Sequence, residues 1–137
     1  MRVLLDTHVI LWAVSGDTSL PSRYRTALED LANDIYISAV SEWEIAIKRS
    51  AGKLDLPATF FDTLDTAEYD SLSVTRHHAH AVHHLQPIHI HPLDPLLIAS
   101  AQCEALTLAT VDTDIWYYDV PILYASFVSV LWSGCFT

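Results

Sequence analysis

Short apolar runs alternate along this chain with longer stretches in which apolar residues recur every three or four positions. Arg2-Val3-Leu4-Leu5 predicts a buried strand that stops at Asp6, and residues 7–14 predict a helix stopped by Ser15-Gly16-Asp17. Pro21 opens a second helix to about Ala32, and Ile35-Tyr36-Ile37 forms the next strand. Ser38 or Ser41 caps a helix that runs to about Ser50, with Gly52 as its terminator. Pro57 starts another, with Phe60, Phe61 and Leu64 on one face. Leu72 to Val74 is expected as a strand, and Thr75 as the cap of a histidine-rich helix to Leu85. A loop with two prolines covers residues 86–93, and Asp94-Pro95 begins an apolar helix to about Glu104. Leu106 to Thr110 and Val120 to Leu123 complete the strands, with a short helical turn between them.

Strands that alternate with helices predict a parallel sheet covered on both faces. In such sheets functional groups collect at the carboxyl ends of the strands, so Asp6 and Asp112 should share one edge. A length of 137 residues suits one domain, and no repeat or linker marks a second. Apolar residues make up 51% and charged ones 18%, which excludes a disordered chain. Cys103 and Cys135 have no motif spacing and cannot form a disulfide framework. No cationic stretch leading into an apolar run opens the chain, and no apolar stretch is long enough to cross a bilayer. A cytoplasmic protein with no membrane partner is expected. The net charge of −10 argues against a passive nucleic-acid coat, because phosphate affinity normally comes from cationic side chains. An enzyme that meets phosphate through divalent cations escapes that objection.

Four acids stand out by position: Asp6, Glu44, Asp94 and Asp112. Each has an ordinary explanation. Asp6 can cap the helix beginning at Thr7, Asp94 before Pro95 is common helix punctuation, and Asp112 can cap the following turn. Glu44 fits a capping box with Ser41 or an ion pair with Lys48. Yet Glu44 is expected on the core-facing stripe of Val40, Trp43 and Ile47, where a carboxylate is costly without a cation or donor. Several carboxylates in one crevice repel one another and rise in pKa, a strain that a divalent ion removes. Magnesium takes hard oxygen ligands and keeps waters, so two or three carboxylates suffice.

The motifs around these acids resemble those of the PIN-domain family, specifically VapC-type toxins of bacterial toxin–antitoxin pairs. Leu4-Leu5-Asp6-Thr7-His8 resembles the opening motif, and Ile37 to Lys48, followed by Gly52-Lys53-Leu54, resembles the second. His89 to Ala99 is similar to the third, and Leu106 to Asp112 to the fourth. Four motifs in one order across residues 1–124 are far more specific than any one alone. The resemblance implies a three-layer α/β/α domain over residues 1–124, with a short parallel sheet of four or five strands and an apolar extension over 125–137. It further implies a magnesium- or manganese-dependent endoribonuclease whose metal-activated water hydrolyses RNA phosphodiester bonds. A cognate antitoxin partner and a homodimer follow from the same likeness. Carried over, Asp6 and Asp94 are direct metal ligands, and Glu44 and Asp112 complete the catalytic pocket directly or through water. Thr7 and Thr110 orient carboxylates or water. The family's third motif often has Asp where this chain has His91 and Arg where it has Pro95, and Arg often precedes the fourth acid, here Val111.

Lys48, Arg49 and Lys53 are candidates for RNA backbone contact, with a solvated helix end as the alternative; Lys48 lies one turn from Glu44. His80 and His84, four apart, admit a zinc or nickel site, although a polar helix face is the preferred reading. His89 and His91 border Asp94. Trp12 and Trp43 are read as core or dimer contacts rather than base-stacking platforms. Two other functions compete with the nuclease: another metal-dependent phosphoryl-transfer enzyme using Asp6 as nucleophile, and a catalytically weak PIN-like or histidine-rich binding protein.

Overall fold

The computed structural model describes residues 1–85 and 93–123. The expected loop over 86–92 and the apolar extension over 125–137 lie outside the described residues. Among the described residues five strands form one parallel sheet: β1 (Arg2–Leu5), β2 (Asp34–Ser38), β3 (Asp70–Leu72), β4 (Thr107–Ala109) and β5 (Ile122–Leu123), in the order β3-β2-β1-β4-β5. Six α-helices are described: α1 (Thr7–Ser15), α2 (Ser22–Glu29), α3 (Ala39–Ser50), α4 (Phe60–Thr66), α5 (Arg76–Ala81) and α6 (Asp94–Glu104). None of them is long and apolar enough to cross a membrane.

Central strand β1 explains the three layers. Its side chains alternate between faces, and Val3, Leu4 and Leu5 are all essentially inaccessible to solvent. Val3 and Leu5 join a cluster with Val9, Ile10, Tyr24, Phe60 and Leu64, so α1, α2 and α4 cover one face. Leu4 joins Leu97, Ile98 and Ala101 of α6 on the other face, where α5 packs against α6. Helix α3 supplies Ile45 to the first cluster and Val40 to the second, so it serves both layers. That placement brings its middle turn toward the carboxyl end of β1.

Several boundaries differ from expectation for local reasons. Helix α2 stops at Glu29, not Ala32, because Asp30 turns the chain through its Oδ1, which accepts from Ala32 N at 2.9 Å, and Asn33 Nδ2 donates to Ala27 O at 2.9 Å. Pro57 belongs to a turn closed by Phe60 N donating to Pro57 O at 3.0 Å, so α4 begins at Phe60. Edge strand β3 pairs over Asp70–Leu72, two residues before the expected run, because its register follows Tyr36 to Ser38 of β2. Ser38 rather than Ser41 caps α3, accepting from Val40 N at 3.1 Å. Leu93 occupies the N-cap of α6, so Asp94 is inside the helix and does not cap it.

A candidate acidic active site at the carboxyl ends of the strands

Strands β1 and β4 run side by side and end together, Leu5 opposite Ala109. Asp6 N donates to Ala109 O at 2.9 Å, which sets Asp6 beside Thr110 at the sheet edge. Both carboxylate oxygens of Asp6 are held: Oδ1 accepts from Thr7 N at 2.7 Å, and Oδ2 accepts from Thr110 Oγ1 at 2.6 Å. Thr110 Oγ1 also accepts from Asp112 N at 3.1 Å, so one buried hydroxyl ties the two acidic segments together. Beneath it, Tyr24 Oη donates to Thr110 O at 2.5 Å and anchors the end of β4 to α2. Asp112 Oδ1 accepts from Asp114 N at 3.0 Å, which fixes the turn after β4.

Asp6, Glu44, Asp94 and Asp112 all line one cavity of about 400 Å³, with Thr7, His8, Lys48 and Lys53 around them. Asp6 and Glu44 are each 7% exposed, and Asp94 is 9% exposed. Thr110 is not among the residues lining the cavity and bears on it through Asp6 and the Asp112 backbone. Lys48 Nζ lies 3.8 Å from Glu44 Oε1, a long ion pair one turn along α3. Burial pushes the Asp6 carboxyl above its ordinary pKa; the Thr110 and Thr7 hydrogen bonds and the His8 charge oppose that rise, and Glu44 adds to it. A buried carboxylate facing another is the electrostatic setting that a hard cation relieves.

The four acids offer only oxygen donors, which suits magnesium or manganese. Among the described residues no group of three His, Cys, Asp or Glu side chains closes into a ready-made ion cage. Magnesium commonly uses one or two carboxylates and retains water, so an open acidic basin fits it and a closed cage is not required.

Two expectations about α3 and α5 need correction. Glu44 is buried with Val40, Ser41 and Ile45, whereas Trp43 is 54% and Ile47 47% exposed. The inward stripe of α3 is thus turned by one position from the expected one, and Trp43 is not a core residue. On α5, His78 departs from the polar face: it is 1% exposed, its Nδ1 accepts from Thr75 N at 3.2 Å, and its Nε2 lies 2.7 Å from Glu104 Oε1. His80 and His84 meet edge to face with ring centroids 6.2 Å apart. His89 and His91 lie outside the described residues. Arg49 sits over the Phe61 ring at 5.9 Å and does not line the acidic cavity, unlike Lys48 and Lys53. Sequence reasoning missed His8 and Tyr24. His8 had a usable signal, since it lies two residues after a strand-ending acid; Tyr24 acts across 86 residues of chain and had none.

The PIN-domain family profile matches residues 3–121. No curated relative matches the chain in sequence. Among solved structures, VapBC2 from Rickettsia felis, bound to a DNA fragment from its promoter, superposes with a TM-score of 0.70 at 20% identity, covering 90% of this chain and 98% of that one. FitAcB from Neisseria gonorrhoeae gives 0.63 at 23% identity, covering 90% and 97%. DNA-bound VapBC from Salmonella typhimurium gives 0.66 at 14% identity, covering 92% and 99%. At these identities the likeness shows a shared fold. The matched profile spans nearly every described residue and includes all four acids, and the chain belongs to the PIN-domain family.

Proposed function

We propose that this protein is a divalent-metal-dependent endoribonuclease of the VapC type, acting in the cytoplasm as the toxin of a toxin–antitoxin pair. The observation that carries the reading is the convergence of Asp6, Glu44, Asp94 and Asp112, from four separate segments, on one cavity. The fold shared with the VapBC structures supports a cognate antitoxin as partner; the homodimeric state rests on the family resemblance of the motifs.

Asp6 and Asp94 would hold the ion, with Glu44 and Asp112 completing its surroundings directly or through water. When bound, magnesium or manganese supplies the positive charge that draws an RNA phosphodiester in and stabilises charge developing on its oxygens. The chain's own groups do the rest. Thr7 N and the Thr110 hydroxyl fix the Asp6 carboxylate, so it cannot rotate out of the cavity. Glu44, buried on α3 at the same cavity, would accept a proton from the attacking water. Lys48 and Lys53 meet the phosphate backbone at the rim of a molecule otherwise strongly acidic.

Purified protein incubated with mixed single-stranded RNA tests this. Cleavage is expected with magnesium, lost with chelator, and reduced at least a hundredfold by Asp6→Asn or Asp94→Asn. Hydrolysis of small phosphomonoesters without RNA cleavage would point instead to another phosphoryl-transfer enzyme. Metal uptake that survives loss of both acids would point to a binding protein.

A further inference from the structure

The indole of Trp43 and the side chain of Ile47, one helical turn apart on α3, stand out from the surface instead of entering the core. Together with Leu93 they line an apolar groove of about 290 Å³. This groove adjoins the acidic cavity: Glu44, Lys48 and Lys53 line both. Two of the seven lysines and arginines of the chain therefore stand where the acidic cavity gives way to the apolar groove.

We infer that the groove is a subsite for an unpaired nucleobase next to the phosphate cleaved in the acidic cavity, with Trp43 as its stacking surface. The inference rests on the nuclease reading and extends it to the form of the substrate. A phosphate drawn into the acidic cavity carries its neighbouring nucleotide past Lys48 and Lys53, whose charges match its backbone. What lies beyond them is an exposed aromatic plane on a carbon-rich floor, which suits the flat face of any base and offers little sequence readout. A paired base has its faces covered by its neighbours in the helix and cannot use such a plane. The subsite thus selects single-stranded RNA by accessibility of the base, not by its identity.

The test uses full-length protein carrying Asp6→Asn, which removes cleavage, and fluorescently labelled mixed-sequence RNA of about twenty nucleotides, single-stranded or duplex. Trp43→Leu, which keeps apolar bulk without a plane, should weaken single-strand binding about tenfold, the scale of one lost stacking contact. Trp43→Phe should restore most of it, and neither change should alter duplex binding. In the protein with Asp6 intact, Trp43→Leu should raise KM for single-stranded RNA with little change in kcat. Equal single-strand binding by the Leu variant and its parent would overturn the subsite while cleavage by the Asp6-containing protein left the nuclease reading standing. An intact protein that cuts no RNA would overturn both. Loss of dimerisation or antitoxin binding in the Leu variant, with RNA binding unchanged, would assign the groove to a protein partner and overturn the proposal.

Discussion

Burial and a hydrogen-bond cradle act on Asp6 in opposite directions, and burial prevails. The folded state therefore favours the protonated carboxyl more than the unfolded chain does. The sign follows from linkage: below an ordinary pKa of 3.8 the group is protonated in both states and costs nothing. Stability of the metal-free protein then falls as pH rises from 3.8 through the raised pKa of Asp6, and the loss persists at neutral pH. Asp6→Asn removes that penalty. At pH 7 the metal-free variant should melt at a higher temperature than its parent, and magnesium should raise the parent's melting temperature while leaving the variant's almost unchanged. Scanning calorimetry with and without magnesium checks both; a variant that melts below its metal-free parent contradicts the account. Asp6 was legible in the sequence because it ends a buried strand, where a carboxylate is conspicuous. The burial of Glu44 was legible too, but its neighbours were not. Val40 and Glu44 belong equally to a stripe with Trp43 and Ile47 or to one with Ser41 and Ile45. Spacing along one helix cannot choose between them; the contacts of α3 with α1 and α6 do.

At the level of elements, α5 shows what pattern reading overlooks. A run rich in histidine suggests a solvated face, yet His78 points inward and joins α5 to the end of α6. Its Nδ1 accepts the Thr75 N–H, so the ring proton sits on Nε2 and is donated to Glu104. Thr75 Oγ1 accepts from His78 N at 3.2 Å, closing a capping box in which histidine takes the place of the usual glutamate. The clamp steadies the helix that carries Asp94 at its other end. His78→Ala should cost about 2–4 kcal/mol through a cavity and lost hydrogen bonds. Glu104→Gln, which keeps an acceptor on a partly exposed side chain, should cost less than about 1 kcal/mol. Urea unfolding of the two variants checks the ranking, and equal losses would contradict it. Its place three residues after Thr75 was the one local mark that set His78 apart from His77 and His80; its Glu104 partner lies 26 residues away and left no local signal.

For the molecule as a whole, strand and helix order was legible because a parallel sheet buries its central strands on both faces and leaves short uninterrupted apolar runs in the sequence. Val3-Leu4-Leu5 is such a run, and the sheet is built around it. The edge strand β3 was misplaced for the converse reason: Asp70 and Ser71 are exposed, so no apolar pattern marks them. Charge gives a further expectation at this scale. Lys48 and Lys53 are the lysines at the acidic cavity of a chain with net charge −10. With two such cationic contacts, the logarithm of RNA affinity at fixed magnesium should fall against the logarithm of monovalent salt with a slope of about −1.4, at about −0.7 for each neutralised phosphate of a single strand. Filter binding over a salt series measures it, and a slope steeper than about −4 would place the main binding surface elsewhere.

The central claim is that acids from four distant segments make one cation site. Anomalous diffraction from crystals soaked in manganese tests it most directly, since the ion announces its own position. A peak within direct or water-bridged reach of Asp6 and Asp94, bordered by Glu44 and Asp112, is the result this account predicts. A peak on His80 and His84 with none in the acidic cavity, or no ordered ion at concentrations that support RNA cleavage, would contradict it.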